Sequence, residues 1–250
     1  MTNSFIYALD FDGVLCDSAV ETGMTGWKAA TKLWNDMPES VPPDLIERFR
    51  NVRPIIETGY EAILAMRLLF LGESTDAVFS HFGEKANGLI NEASVSIDDL
   101  KNLFGETRDL WIARDLDDWV DRNPLFEGVA TKLQKLWQLC PWYVVTTKQE
   151  RFVKQILQAN AIELADERIF GLDRKLSKVD VLASLLESHP GKTIHFVEDR
   201  LPTLLNVLKQ DRLSSVQLSF ALWGYNTAED KALAEQQPFT SIHLNDFLAF

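Results

Sequence analysis

Cysteine is scarce in this chain: Cys16 and Cys140 are the only two among 250 residues. Cys16 stands beside an aspartate-rich turn and Cys140 precedes Pro141, so neither a disulfide framework nor a thiolate metal site can be assembled within the chain. A reducing compartment is expected. Basic residues are short as well, 25 Lys and Arg against 37 Asp and Glu, for a formal net charge of −12. That deficit argues against nucleic acid as a partner, because its phosphate backbone is held by clustered cations. No apolar run approaches the roughly 18 residues of a membrane span, and the opening residues Met1-Thr2-Asn3-Ser4-Phe5 lack the basic flank and apolar core of a signal peptide. Internal repeats and low-complexity tracts are missing too. A cytoplasmic protein without a membrane partner is expected, acting as a monomer or homodimer.

What remains is an ordinary globular composition, 46% hydrophobic and 25% charged, long enough for one large domain or two smaller ones. From Ser18 to Arg122 apolar residues recur at three- and four-residue steps: Val20, Met24 and Trp27, then Ile63, Leu64, Leu68 and Leu71, then Leu100, Leu103, Phe104 and Trp111. This is helical spacing. Helix starts are marked by Pro42-Pro43, by Ser74-Thr75-Asp76, and by Ser96 with Asp99 three residues on, a capping-box pattern. After Asn123-Pro124 short apolar runs alternate with helical patterns: Trp142 to Val145, Ile169-Phe170, Thr193 to Val197 and Val216 to Phe220. Such alternation specifies a parallel sheet covered on both faces. The isolated first strand, residues 5 to 9, most simply joins it. The expected fold is therefore α/β, a Rossmann-like three-layer core from residues 1–17 and 123–250. An all-helical module, residues 18–122, is inserted after the first strand, where it would cap the carboxyl ends of the strands, the usual ligand side of such sheets.

The first strand stops on Asp10, places Asp12 two residues later and turns at Gly13. Two acids on one side of an extended backbone repel each other. The pair calls for a hard metal, a chemistry that uses both carboxyls, or solvent; Asp and Gly are also ordinary turn residues. Other strand ends add polar groups: Thr146-Thr147-Lys148 after Val145, Glu198-Asp199-Arg200 after Val197, and the basic stretch Arg174 to Lys178 between them. Singly, each has a plain explanation as a helix cap, a solvated lysine or a charge set against a helix dipole. Together, in this order and at these positions, they are much harder to dismiss as separate structural features.

In these motifs the sequence resembles the haloacid-dehalogenase-like hydrolase superfamily, over the whole chain. Asp10-Phe11-Asp12-Gly13 is similar to its first motif, Thr146 to its second, Lys178 to its third and Glu198-Asp199 to its acidic fourth. Phe126-Glu127-Gly128-Val129 and Trp223-Gly224-Tyr225-Asn226 resemble the phosphoglycolate-phosphatase-like branch. The resemblance implies a Mg²⁺-dependent phosphatase acting on a small phosphorylated metabolite. In it Asp10 is the nucleophile, Asp12 the general acid and base, and Thr146 and Lys178 hold the phosphoryl oxygens. Mg²⁺ is held by Asp10, the Asp12 backbone carbonyl and Asp199, with Glu198 as a further candidate ligand, and Gly13 and Thr147 line the phosphate. A phosphomutase, or a silent scaffold that keeps the fold, are the alternatives.

The chain departs from the family pattern at Val14, where many members have Thr, at Thr147 in place of a common Asn, and at Thr203, where a second acid is usual. Lys175, three residues before Lys178, competes with it for the third motif if both share a helical turn. Lys148 and Arg200 read as salt-bridging surface residues. In the helical module the connector Asn51 to Tyr60 carries Arg53, Glu57 and Tyr60, directional groups that are candidates for substrate selection. The plainer reading is a turn shaped by Pro54 and Gly59, with Arg53 paired to Glu57.

Overall fold

The computed structural model describes residues 5–249; the opening residues 1–4, on which part of the signal-peptide reading rests, lie outside them. The chain forms two compact units, one from the segments up to Asp17 and from Pro124 onward, the other Ser18–Asn123. Strand β1 (Phe5–Leu9) is followed by helices α1 (Ala19–Leu33), α2 (Pro43–Val52), α3 (Glu61–Phe70), α4 (Thr75–Ala93), α5 (Ile97–Arg114) and α6 (Leu116–Asp121). Then come α7 (Val129–Leu139), β2 (Trp142–Val145), α8 (Glu150–Ala159), β3 (Ile169–Phe170), α9 (Lys178–Ser188) and β4 (Thr193–Glu198). The chain closes with α10 (Leu201–Leu208), β5 (Gln217–Ala221), α11 (Ala228–Ala234), β6 (Thr240–Ile242) and α12 (Leu244–Ala249). Among the described residues no helix is long and apolar enough to cross a membrane.

In the sheet unit the six strands are all parallel, in the order β3-β2-β1-β4-β5-β6. Strand β1 lies inside the sheet because its residues are apolar on both faces. Ile6 and Ala8 enter a cluster with Val179, Leu182 and Leu185 of α9 and Leu204 of α10. Tyr7, pointing the other way, meets the ring of Phe247 on α12 edge-on. Helices thus cover both faces. The chain winds outward from β1 to β2 and β3, then returns to start again at β4. The carboxyl ends of β1 and β4 therefore flank a topological switch point, where open α/β sheets bind ligands. The sixth strand escapes the sequence pattern: Thr240-Ser241-Ile242 is short and polar, as an edge strand can be, and among the described residues it pairs with β5 alone.

The helical unit contains no strand among its residues. Its core joins Trp27 of α1, Phe49 of α2, Leu64 and Leu68 of α3, Leu89 of α4 and Phe104 of α5. Helices α1 and α3 approach closely at Gly26, where any Cβ would strike the backbone of Ala62. Ser74 caps α4 by accepting the Ala77 amide, and Ser96 with Asp99 forms a full capping box on α5. Leu71, in the expected apolar stripe of α3, lies just past the helix end and is exposed.

One acid in this unit is fully enclosed. Glu21 of α1 accepts from Arg108 through both oxygens (2.7 and 2.6 Å), from the Thr25 hydroxyl (2.6 Å) and from the Trp119 indole (3.1 Å). Removing the cation alone would strand a buried carboxylate, at a cost of about 3–5 kcal/mol. Arg108→Met is therefore expected to lower the urea midpoint markedly, and Glu21→Gln/Arg108→Met to recover part of the loss. Equal midpoints for wild type and Arg108→Met would show that the pair does not stabilise the fold.

Candidate active site

Asp10 continues the line of β1, its amide bonded to the Val197 carbonyl of β4 at 2.9 Å. The chain then doubles back, with the Leu15 and Cys16 amides both on the Phe11 carbonyl. Gly13 makes this possible: its φ is +89°, and a Cβ there would run into the Asp199 carboxylate. Gly224 packs as tightly from the other side, where a Cβ would meet Asp199 Cβ and the Gly13 carbonyl. Only glycine fits either position.

The switch point is strongly acidic. Asp10, Glu198 and Asp199 are all buried, and each offers an oxygen within 4.8 Å of the others. Lys178, the first residue of α9, reaches into this cluster with Nζ 2.8 Å from Asp10 Oδ1 and 2.7 Å from Glu198 Oε2. Three carboxylates against one ammonium leave a negative excess on hard oxygen donors, a set suited to a divalent cation. Burial, reinforced by Glu198 and only partly countered by Lys178, pushes the Asp10 pKa up to about 7. Burial alone would lower the Lys178 pKa, but Asp10 and Glu198 more than offset it and hold the ammonium protonated.

The acids are tethered. Glu198 Oε1 accepts the Arg200 amide (3.0 Å), and Asp199 Oδ2 accepts the Tyr225 amide (2.6 Å). Asn226 donates to the carbonyls of Asp199 and Ala221, and the Tyr225 hydroxyl donates to Asp17. The loop after β5 therefore clamps the acidic end of β4. Thr203, in the first turn of α10, is half-buried.

At the end of β2, Thr146 is buried, its amide bonded to the Phe170 carbonyl and its hydroxyl accepting the Lys148 amide (3.1 Å). Thr147 is half-buried. Lys148 corrects the surface reading: its side chain is 1% exposed, and its Nζ sits 3.0 Å from Asp12 Oδ1. The signal was its place two residues past a strand-end threonine. Glu150, at the start of α8, went unread; its carboxylate accepts the amides of Gly171, Asp173 and Arg174, organising the loop that leads to Lys178. That loop also separates the two competing lysines. Lys175 is exposed in a left-handed turn (φ 56°), before the Ser177 cap of α9, so it does not share a helical turn with Lys178.

The three candidates in the connector belong to the helical unit. Arg53 is buried and donates to the Ile56 carbonyl at 2.9 Å, closing its own turn; Glu57 is exposed and Tyr60 half-buried. The amides of Glu57 and Thr58 are both taken by Glu61 at the start of α3.

No protein-family model matches the sequence, and no curated protein matches it. Solved structures do. A predicted phosphatase from Clostridium acetobutylicum superimposes with a TM-score of 0.59 at 16% identity, over 99% of this chain and 98% of the other. A predicted phosphoglycolate phosphatase from Haemophilus somnus gives 0.60 at 17% identity, over 100% and 98%. A haloacid dehalogenase-like family hydrolase from Streptococcus pneumoniae gives 0.55 at 19% identity, over 99% and 97%. The fold is that of the haloacid-dehalogenase-like hydrolases. Within a haloacid-dehalogenase-like core, the residues singled out in the sequence as Asp10, Asp12, Gly13, Thr146, Lys178, Glu198 and Asp199 all lie at the carboxyl ends of β1, β2 and β4 or at the start of α9.

The raised Asp10 pKa has a consequence for stability. A carboxyl whose folded pKa lies above its unfolded value of 3.8 stabilises the fold below that pH and loses the contribution as pH rises through about 7. In chelator-treated protein, the excess of the Asp10→Asn melting temperature over that of the wild type is thus expected to be small at pH 5 and to grow until pH 8. A gap that stays constant or narrows with pH would contradict a desolvated Asp10.

Proposed function

We propose that this protein is a Mg²⁺-dependent phosphatase that hydrolyses a small phosphorylated metabolite through an aspartyl phosphate on Asp10. The observation that carries this reading is the buried Asp10 carboxylate, bracketed by the Lys178 ammonium and by the acids Glu198 and Asp199. A nucleophile and an oxygen-rich cation site share one point of the sheet. Asp10, Asp199 and the Asp12 backbone carbonyl would hold the ion, with Glu198 beside them. Bound there, Mg²⁺ would keep Asp10 ionised and balance the charge of the incoming phosphate.

Asp10 attacks phosphorus and forms the acyl phosphate while the ester P–O bond breaks. Asp12 gives its proton to the departing oxygen and later takes one from the water that releases phosphate. Thr146 and Lys178 hold the phosphoryl oxygens, positioning and charge stabilisation being most of what phosphoryl transfer requires. The three solved structures above, two of them described as phosphatases, support this reading.

The test is hydrolysis of 4-nitrophenyl phosphate, followed by a screen of phosphorylated metabolites, with and without Mg²⁺. Wild type is expected to turn over only with the metal, and Asp10→Asn to lose activity by at least about 10³-fold. Retention of most of the rate by purified Asp10→Asn would rule the mechanism out.

The two acids of β4 are expected to differ. Glu198 is tied through both oxygens, to Lys178 and to the Arg200 amide, so its first task is to orient the lysine. Asp199→Asn is accordingly expected to raise the half-saturating Mg²⁺ concentration more than Glu198→Gln does. Equal or reversed shifts would transfer the direct ligand role to Glu198.

A further inference from the structure

We propose that Lys148 is a positioning residue for the leaving-group proton, aiming the Asp12 carboxyl at the ester oxygen; the proposal rests on the phosphatase reading above. Asp12 lies past the end of β1, at an isolated bridge to Cys16 that opens the turn, and a carboxyl left to choose among its rotamers there would deliver a proton poorly. Lys148 supplies the constraint. Its Nζ is 3.0 Å from Asp12 Oδ1, with side-chain exposures of 1% and 16% for the lysine and the aspartate. The ammonium is thus almost wholly withdrawn from solvent and held against the carboxyl of the proposed acid.

The lysine is itself immobilised at its backbone. Its amide is bonded to Thr146 Oγ1, and its carbonyl accepts the Leu172 amide at 3.1 Å. Gly171 packs so closely on that carbonyl that any Cβ would strike it. The loops after β2 and β3 therefore fix Lys148, and Lys148 fixes Asp12.

In the step concerned, an Asp10 oxygen forms its bond to phosphorus as the ester P–O bond breaks. The electron pair stays on the ester oxygen, which takes the Asp12 proton and departs as the alcohol. Lys148 gives up no proton. With Oδ1 held by the lysine, the Asp12 carboxyl is kept in one orientation from which its proton is delivered.

The dependence on leaving group separates this role from a direct contact with phosphate. A nitrophenolate departs with little help, whereas an alkoxide needs a proton as it leaves. The quantity to follow is kcat/KM, which reports events up to the first transfer and not the later hydrolysis of the acyl phosphate. It would be measured for the full chain with Mg²⁺ on 4-nitrophenyl, phenyl and ethyl phosphate. Lys148→Met is expected to lose less than about 3-fold on the nitrophenyl ester and about 10²-fold on the ethyl ester, the scale of general-acid help. Asp12→Asn is expected to show the same tilt, and the double variant to add little to it. A loss that is uniform across the three esters overturns the proposal, because it would mean that Lys148 touches the transferring phosphoryl group or only supports the fold. Should Lys148→Met fail to fold, Lys148→Gln carries the test, with an intermediate tilt expected and an unchanged one overturning the idea. Wild type inactive on all three esters would sink the phosphatase reading first and this proposal with it, a result distinct from a uniform loss.

Discussion

Three buried carboxylates within 4.8 Å of one another are a liability before they are a site. Left alone, such acids repel and take up protons, and a protonated cluster is a poor host for a cation. The Lys178 ammonium between Asp10 and Glu198 relieves part of that repulsion from inside. Much of the surrounding construction serves to place it. Ser177 caps α9 so that Lys178 is the first helical residue, and Glu150 gathers three amides of the preceding loop. On the other flank, the Tyr225 amide and the two glycines fix Asp199. Charge balance is partial by design of the topology, and the remaining negative excess is what a divalent cation requires.

Features decided within a few residues were legible in the sequence. The Ser96–Asp99 capping box, the Ser74 cap and the arrest of β1 on an aspartate are local, and each follows from short-range hydrogen bonding or alternation. The parallel sheet was legible too, because strands buried on both faces leave continuous apolar runs. What long-range packing decides was not. Lys148 reads as a surface lysine because its partner Asp12 lies 136 positions away, and nothing in the sequence around Arg53 signals that its buried guanidinium donates to a carbonyl of its own loop. Lys175 was ambiguous because helical spacing was assumed where the backbone takes a left-handed turn. Strand β6 is invisible for another reason: a polar edge strand has no periodicity to read.

The placement of β1 also bears on how the molecule is made. Its partners are β2, reached at Trp142, and β4, reached at Thr193. During synthesis the apolar segment Phe5–Leu9 emerges before either partner, then waits while the helical unit and much of the sheet are translated. At about 5–20 residues per second, that delay is on the order of ten seconds or more. The helical unit, continuous in sequence, can collapse on contacts already available, but the strand that ends in the acid pair has no sheet to join. For that interval it is an unpaired apolar strand, the kind of segment that invites mispairing. The order of translation therefore makes the future centre of the sheet the part of the chain that most needs shelter on the ribosome.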